Sequence, residues 1–186
     1  MIAFTFTEKA AAELKERVHR TVTAKLPGIV GLAEMYIGTI HGFCLDLLQT
    51  YIPETFKYGV LTDITQQLLI DRETNKSGFN TAVKTVQGVE SSLRRYTDTR
   101  VFKGALSILQ EDAVDFGLVP PETTASLAKY KDFLADKRYF DYTSMMVEAV
   151  GFLERSQTAT ILDTAEQSLR DHVENDVKYV IVDEYQ

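Results

Sequence analysis

Two adjacent carboxylates, Asp183 and Glu184, follow an unbroken apolar run, Tyr179-Val180-Ile181-Val182. An apolar run rich in β-branched residues suits a strand buried on both faces, as in a parallel sheet covered by helices. In open α/β sheets the ligand sits just past the carboxyl ends of the strands, where these two acids would emerge. Two carboxylates there suit Mg²⁺ and a nucleotide phosphate, one ordering the metal and the other polarising a water. The chain ends two residues later, at Gln186, within what reads as an active site, and is therefore read as a fragment.

The elements that would position this pair are strand–helix units at both ends of the chain. Ile2-Ala3-Phe4-Thr5-Phe6 reads as a strand. Thr7 follows as an N-cap, and Ala10, Ala11, Leu14, Val18 and Val22 form an apolar stripe at helical spacing. Glu8 falls in the first turn, where a negative charge is favoured, and Pro27-Gly28 ends the helix. Met35 to Thr39 reads as a second strand, followed by a helix with Phe43, Leu47, Leu48 and Tyr51 on one side, stopping before Pro53.

From Gly59 to Leu118 the pattern predicts helices with breaks. Thr62 or Asp63 would cap a helix holding Ile64, Leu68 and Leu69. Ser92 to Lys103, with Arg94, Arg95, Arg100 and Lys103, reads as a solvated basic helix face. Pro120-Pro121 is a break, and helices are predicted over 124–136, 142–155 and 159–174, with Asp141 capping the second. The expected fold class is α/β: a parallel sheet interrupted by a large, mostly helical insertion. A single irregular α+β domain is the alternative.

Composition narrows the function classes. Hydrophobic residues make up 45% and charged residues 25%, ordinary values for a globular protein, and no apolar stretch approaches transmembrane length. The lone Cys44 excludes an internal disulfide, fits a reducing cytoplasm, and reads as a small core residue. The formal net charge of −7 argues against a broad polyanion-binding surface. Residues 1–25, however, carry five Lys/Arg against three Glu, which leaves room for a small nucleic-acid contact near that end.

Three segments resemble motifs of one family, the UvrD/Rep/PcrA superfamily 1 DNA helicases. Thr5-Phe6-Thr7-Glu8-Lys9-Ala10-Ala11-Ala12-Glu13-Leu14 resembles motif Ia; Gly38-Thr39-Ile40-His41-Gly42-Phe43-Cys44 resembles the next DNA-contacting motif; Val182-Asp183-Glu184-Tyr185-Gln186 resembles Walker B. Phe140-Asp141-Tyr142 is similar to the family's Asp-aromatic helix start shortly before Walker B. Residues 55–120 hold little that is diagnostic.

The resemblance implies a partial RecA-like P-loop NTPase sheet, with residues 1–56 as the start of domain 1A, 57–174 as a 1B-like insertion, and 175–186 as the returning Walker B strand. It implies an ATP-dependent DNA helicase or translocase, 3′–5′ by family analogy, with ATP and Mg²⁺ as cofactors and single-stranded DNA or a single-strand/duplex junction as partner. Asp183 would help hold Mg²⁺ through water, and Glu184 would act as the base for the attacking water. Gln186 would link the γ-phosphate site to DNA movement. Phe6 would stack on a base, and Thr7, Thr39, His41 and Phe43 would line the same track. Phe43 also sits on its helix's apolar stripe, so core packing explains it equally, and His41 could hydrogen-bond locally. Arg94, Arg95, Arg100 and Lys103 are candidates for further DNA contacts.

The chain also departs from the family. The phosphate-cradling sequence Gly-x-x-x-x-Gly-Lys-Ser/Thr occurs nowhere in the 186 residues, so this stretch is expected not to hydrolyse ATP by itself. Glu8 occupies a position often Asn in the UvrD branch and resembles the helicase–nuclease relatives of the AddA/RecB type. A non-catalytic DNA-binding or docking module of helicase ancestry, and a helicase–nuclease subunit, therefore stand as alternatives. Without further strands, the Ile2–Phe6 and Tyr179–Val182 segments are expected to present apolar edges.

Overall fold

In the computed structural model, residues 1–26, 28, 35–111, 114–158, 161 and 163–183 are described. They form two compact units. The first comprises Met1–Phe56 and Glu148–Gln186, and the second Lys57–Val147. Among the described residues no helix is long and apolar enough to cross a membrane.

The first unit holds a parallel sheet of three strands, β1 (Ile2–Thr5), β2 (Tyr36–Thr39) and β7 (Val180–Val182), in the order β2-β1-β7. Accompanying them are α1 (Glu8–Lys25), α2 (Ile40–Tyr51), α7 (Thr164–Asn175) and the later part of a helix that begins in the second unit. The register is fixed by Phe4 opposite Gly38 and Val182, and by Thr5 opposite Thr39. All three strands run the same way, so their carboxyl ends lie along one edge. Ile2 and Ala3 are buried because β1 is flanked on both sides. The expectation of an apolar edge at β1 is therefore corrected: it is the central strand. β7 is an outer strand, as is β2, and the three residues of β7 are all exposed, not buried on both faces as predicted. Among the described residues it pairs with β1 alone.

Caps set the helix starts. Thr7 is extended and its side-chain oxygen accepts the Ala10 N–H, while Thr39 does the same for Gly42. α7 starts one turn later than predicted, at a capping box in which Asp163 and Glu166 satisfy each other's backbone N–H. Leu47, Phe152 and Leu169 bring α2, α7 and the end of α6 (Tyr142–Thr158) into one core, with Phe43 and Tyr51 against it. Cys44 is buried, as a small core residue would be.

The second unit contains α3 (Asp63–Arg72), α4 (Thr99–Glu111), α5 (Pro121–Lys137) and the first residues of α6. Its core joins Ile70, Phe79, Phe102, Leu106, Leu127, Tyr130 and Leu134, with the Phe79 and Phe102 rings edge-to-face at 5.2 Å. Thr62 caps α3. Asp141 caps α6: one carboxylate oxygen accepts the Ser144 N–H at 2.7 Å, and the other accepts the Tyr130 hydroxyl and the Gln66 amide.

This unit is not simply helical. Two-residue strands β3 (Gly59–Val60) and β6 (Tyr139–Phe140) pair in parallel, and β4 (Val83–Val86) with β5 (Val89–Ser92) forms an antiparallel hairpin. The hairpin turn has positive φ at both Gln87 and Gly88, which matches the right-handed twist of the strands it joins. The predicted basic helix face over 92–103 is consequently divided: β5 ends at Ser92, and α4 begins only at Thr99.

Candidate functional site

The carboxyl edge of the three-stranded sheet gathers the described motif residues of the first unit. Asp183 extends the β7 ladder: its N–H donates to the Phe4 carbonyl at 2.9 Å, which sets Asp183 beside Thr5. Along the edge, Thr39, Thr5 and Asp183 therefore stand in neighbouring register positions. Glu184 and Gln186, which the sequence reading joins to Asp183, lie outside the described residues.

Phe6 is the first residue past β1. The Thr5 hydroxyl donates to the Thr7 carbonyl at 3.1 Å, and that carbonyl also accepts the Ala11 N–H. These bonds pin the backbone on both sides of Phe6, and its ring is 82% exposed. An exposed aromatic held on a fixed bend is the geometry that stacking on a flat ligand requires. Thr7 uses a lone pair to cap α1, so its hydroxyl keeps its donor capacity.

Thr39 is differently placed. It is buried, it accepts the Gly42 N–H at 3.1 Å, and its hydroxyl donates to Glu8 Oε1 at 2.7 Å. Its donor is already committed inside the protein, so Thr39 ties the starts of α1 and α2 together. His41, in the first turn of α2, is half-buried and engaged within the protein. Phe43 packs edge-to-face on Phe4 at 5.3 Å and on Tyr36 at 5.1 Å. That is the core-packing role its position on the apolar stripe allows.

Two residues outside the set expected to line the track organise this edge. Glu8 is one, through Thr39. Tyr36 is the other: its hydroxyl donates to the Thr39 carbonyl, and its ring lies over Gly38 and Gly42. A Cβ at Gly38 would fall 2.5 Å from the Tyr36 oxygen, and one at Gly42 would fall 2.9 Å from it. Burial, with the carboxylates of Asp46 and Glu8 nearby, pushes the Tyr36 phenol up to about 12, so it stays a neutral donor. The repeated Gly around Thr39 and His41 was the available signal, since glycines at this spacing leave room for a ring.

In the second unit Lys103 is not a solvated cation. Its side chain is 8% exposed and its ammonium donates to the Asp63 carbonyl oxygen and carboxylate. It closes a helix start rather than facing a ligand. Arg94, Arg95 and Arg100 are exposed.

The family model described as UvrD/REP helicase N-terminal domain matches residues 1–186. A probable DNA helicase of Mycoplasma pneumoniae is 25% identical over 191 residues, covering the whole of this chain and 32% of that protein. The ATP-dependent DNA helicase PcrA of Staphylococcus aureus is 26% identical over 188 residues, again covering the whole chain and 23% of the relative. PcrA of Staphylococcus epidermidis is 26% identical over 197 residues, with the same 23% covered. The chain thus spans a quarter to a third of the length of these relatives. With the match running from the first residue to the last, the chain belongs to the UvrD/REP helicase N-terminal domain family.

Proposed function

We propose that this chain is the portion of an ATP-dependent DNA helicase or translocase that carries a single-stranded DNA track and the Walker B end of the ATP site. Residues 1–56 and 148–186 then belong to the RecA-like domain 1A, and the 1B-like insertion is Lys57–Val147, shorter than the 57–174 expected from the sequence because Phe152 and Leu169 pack with Leu47 in the first unit. The observation that carries the reading is Phe6: an aromatic ring exposed at the carboxyl edge of a parallel sheet, on a pinned bend, with Asp183 near it on the same edge. Stacking of this kind is indifferent to base identity and suits a motor that steps along any sequence. Translocation in the 3′–5′ sense comes from the family resemblance.

The donor chemistry at the edge fits Mg²⁺. Among the described residues no group of three or more His, Cys, Asp or Glu is placed to hold a metal ion. Asp183 offers one hard carboxylate, which suits an ion that keeps most of its waters and draws further ligands from phosphate. When bound there with ATP, Mg²⁺ supplies charge neutralisation for phosphoryl transfer to water. The protein's share is positional. Asp183 would hold the metal through water, Glu184 would hold the attacking water and accept its proton, and Gln186 would relate the γ-phosphate end to the DNA track. Thr7 offers its hydroxyl to a backbone phosphate, Phe6 takes a base, and His41 and Phe43 shape the track behind them.

The test is ATP turnover by the full-length protein with and without single-stranded DNA, beside a Glu184→Gln variant. DNA-stimulated turnover that the variant loses supports the motor. A folded full-length protein that binds DNA yet never turns over ATP would overturn it in favour of a non-catalytic DNA-binding or docking module.

A further inference from the structure

The first unit holds an apolar chamber between one face of the sheet and two of its helices. Ile2 and Phe4 of β1 and Val180 of β7 line it on one side. Leu47 and Tyr51 of α2 and Val173 of α7 line it on the other. Its volume is about 360 Å³. Along α7 the bulky Leu169 is buried against Leu47 and Phe152, but Val173 is short and only half-buried, so the helix leaves this space unfilled. The chamber runs into an outer cleft of about 760 Å³, which Met1, Met35 and Tyr36 line at the amino-terminal ends of β1 and β2. It therefore opens at the end of the sheet opposite to Phe6 and Asp183.

The mouth is acidic. Asp46 is exposed and lines both spaces, and Asp176 lines the outer one. Residues 171–176 hold three acids and no Lys or Arg. Among the described residues neither Lys nor Arg lines the chamber or the cleft. His172 Nδ1 lies 2.8 Å from Asp176, whereas Asp46 takes part in none of the ion pairs among the described residues. Both charges reach the chamber wall: burial raises the Tyr51 phenol, and Asp176 and then Asp46 raise it further.

We propose that this chamber binds a small amphipathic cation, an ammonium carried on one aromatic or short alkyl body. An apolar cavity of about 150 Å³ already takes benzene, so the chamber has room for a ring with a short arm. The arm would bring the ammonium to the mouth, where the Asp46 and Asp176 charges and the face of Tyr51 favour a cation. A neutral guest leaves those carboxylates unused. An anion, nucleic acid included, meets like charge. The site is independent of the motor reading, because Asp46, Tyr51, His172 and Val173 have no part at the carboxyl edge of the sheet.

The experiment is a calorimetric titration of the full-length protein at neutral pH. The probes are phenethylamine, phenethyl alcohol and phenylacetate, one apolar body bearing a positive, neutral or negative head. The variants are Asp46→Asn, an exposed change that spares the fold, and Val173→Phe, which fills the chamber. Phenethylamine should bind saturably at millimolar concentration, the alcohol several-fold more weakly, and phenylacetate not at all. Asp46→Asn should weaken the amine about two- to fivefold, leave the alcohol unchanged, and make amine binding less sensitive to salt. Val173→Phe should abolish binding of both. No saturable binding of the amine would overturn the proposal and mean that another part of the protein fills or covers the chamber. Equal binding of the three probes, or an amine-to-alcohol preference that survives Asp46→Asn, would overturn the cation site. Amine binding retained by a Val173→Phe protein that melts like the parent would place the amine elsewhere, and where that variant does not fold the three probes and Asp46→Asn still decide.

Discussion

Glu8 and Thr39 meet across the top of the sheet. The Thr39 hydroxyl donates to Glu8 Oε1 at 2.7 Å while accepting the Gly42 N–H at 3.1 Å. One side chain thereby caps α2 and clamps its start to the first turn of α1, 31 residues away. Glu8→Ala leaves the buried hydroxyl without that acceptor and should lower stability by about 1 kcal/mol, read as a lower melting temperature. Glu8→Gln retains an acceptor oxygen and should melt nearer the parent protein. Removing the negative charge beside the proposed track should also tighten single-strand binding at low salt, an effect that fades as salt rises.

Gly38 is held small by Tyr36. A methyl at Gly38 would sit 2.5 Å from the phenol oxygen and 2.7 Å from Cζ, closer than any relaxed contact. Gly38→Ala should therefore push the ring off the Thr39 carbonyl and cost about 1–3 kcal/mol. Tyr36→Ala removes the obstacle at its own cost. The double variant should then lose less than the sum of the two single losses. Additive losses would show that the ring is not what excludes the methyl.

Legibility followed the range of the interactions. Thr7, Thr62 and Asp141 were readable as caps because a cap and its N–H partners lie within four residues, whereas the Thr39 cap was not read. β1, β2 and β7 announced themselves as short apolar runs. The β4–β5 hairpin did not, since Gln87-Gly88 is a weak form of the turn signal and Val86 and Val89 are exposed at its tip. β3 and β6, two residues each, carry no period at all. Lys103 was misjudged because its partner Asp63 is 40 residues back; Glu8, correctly read into the first turn of α1, has a further partner that was not legible, Thr39 at the end of β2, 31 residues on. Burial of β7 depends on what stands next to it, which its own residues cannot encode.

Gly78 is the position where backbone freedom is indispensable. Its φ is 76°, and a Cβ there would meet the Ser126 carbonyl oxygen at 2.3 Å, while Ser126 donates its hydroxyl to the Gly78 carbonyl at 2.8 Å. Neither obstacle is a flexible side-chain tip. Gly78→Ala should destabilise the second unit by about 2 kcal/mol or more. Limited proteolysis should then cut within residues 57–147 well before the first unit is attacked.

Acid should loosen the Arg94–Tyr96 loop through Asp98. The Lys84 ammonium first, and the Arg94 N–H second, hold the Asp98 carboxyl below its ordinary value of 3.8. A folded-state value lowered in this way contributes stability that is fully present above 3.8 and is lost as pH falls through the depressed value. Asp63, lowered chiefly by its bond from Lys103, has the same sign. Lys84→Met should melt below the parent protein at neutral pH, and the gap should close as pH is taken well under 3.8. A gap independent of pH would show that Lys84 acts through its stem rather than its charge.

Phe6 separates a working surface from an exposed accident. Its ring is 82% exposed, so truncating it removes almost no packing, and Phe6→Ala should melt within about 0.5 kcal/mol of the parent protein. Stacking on a base contributes about 1–3 kcal/mol, so the single-strand concentration needed for half-maximal ATPase stimulation should rise roughly five- to a hundredfold. Phe6→Trp keeps a flat ring on the same pinned bend and should restore it, while Phe6→Leu, similar in bulk but without a π-face, should not. That pattern belongs to stacking alone. A full-length Phe6→Ala protein that melts much lower, with its DNA dependence intact, would mean that another segment covers the ring and that the bend between Thr5 and Thr7 positions a packing residue.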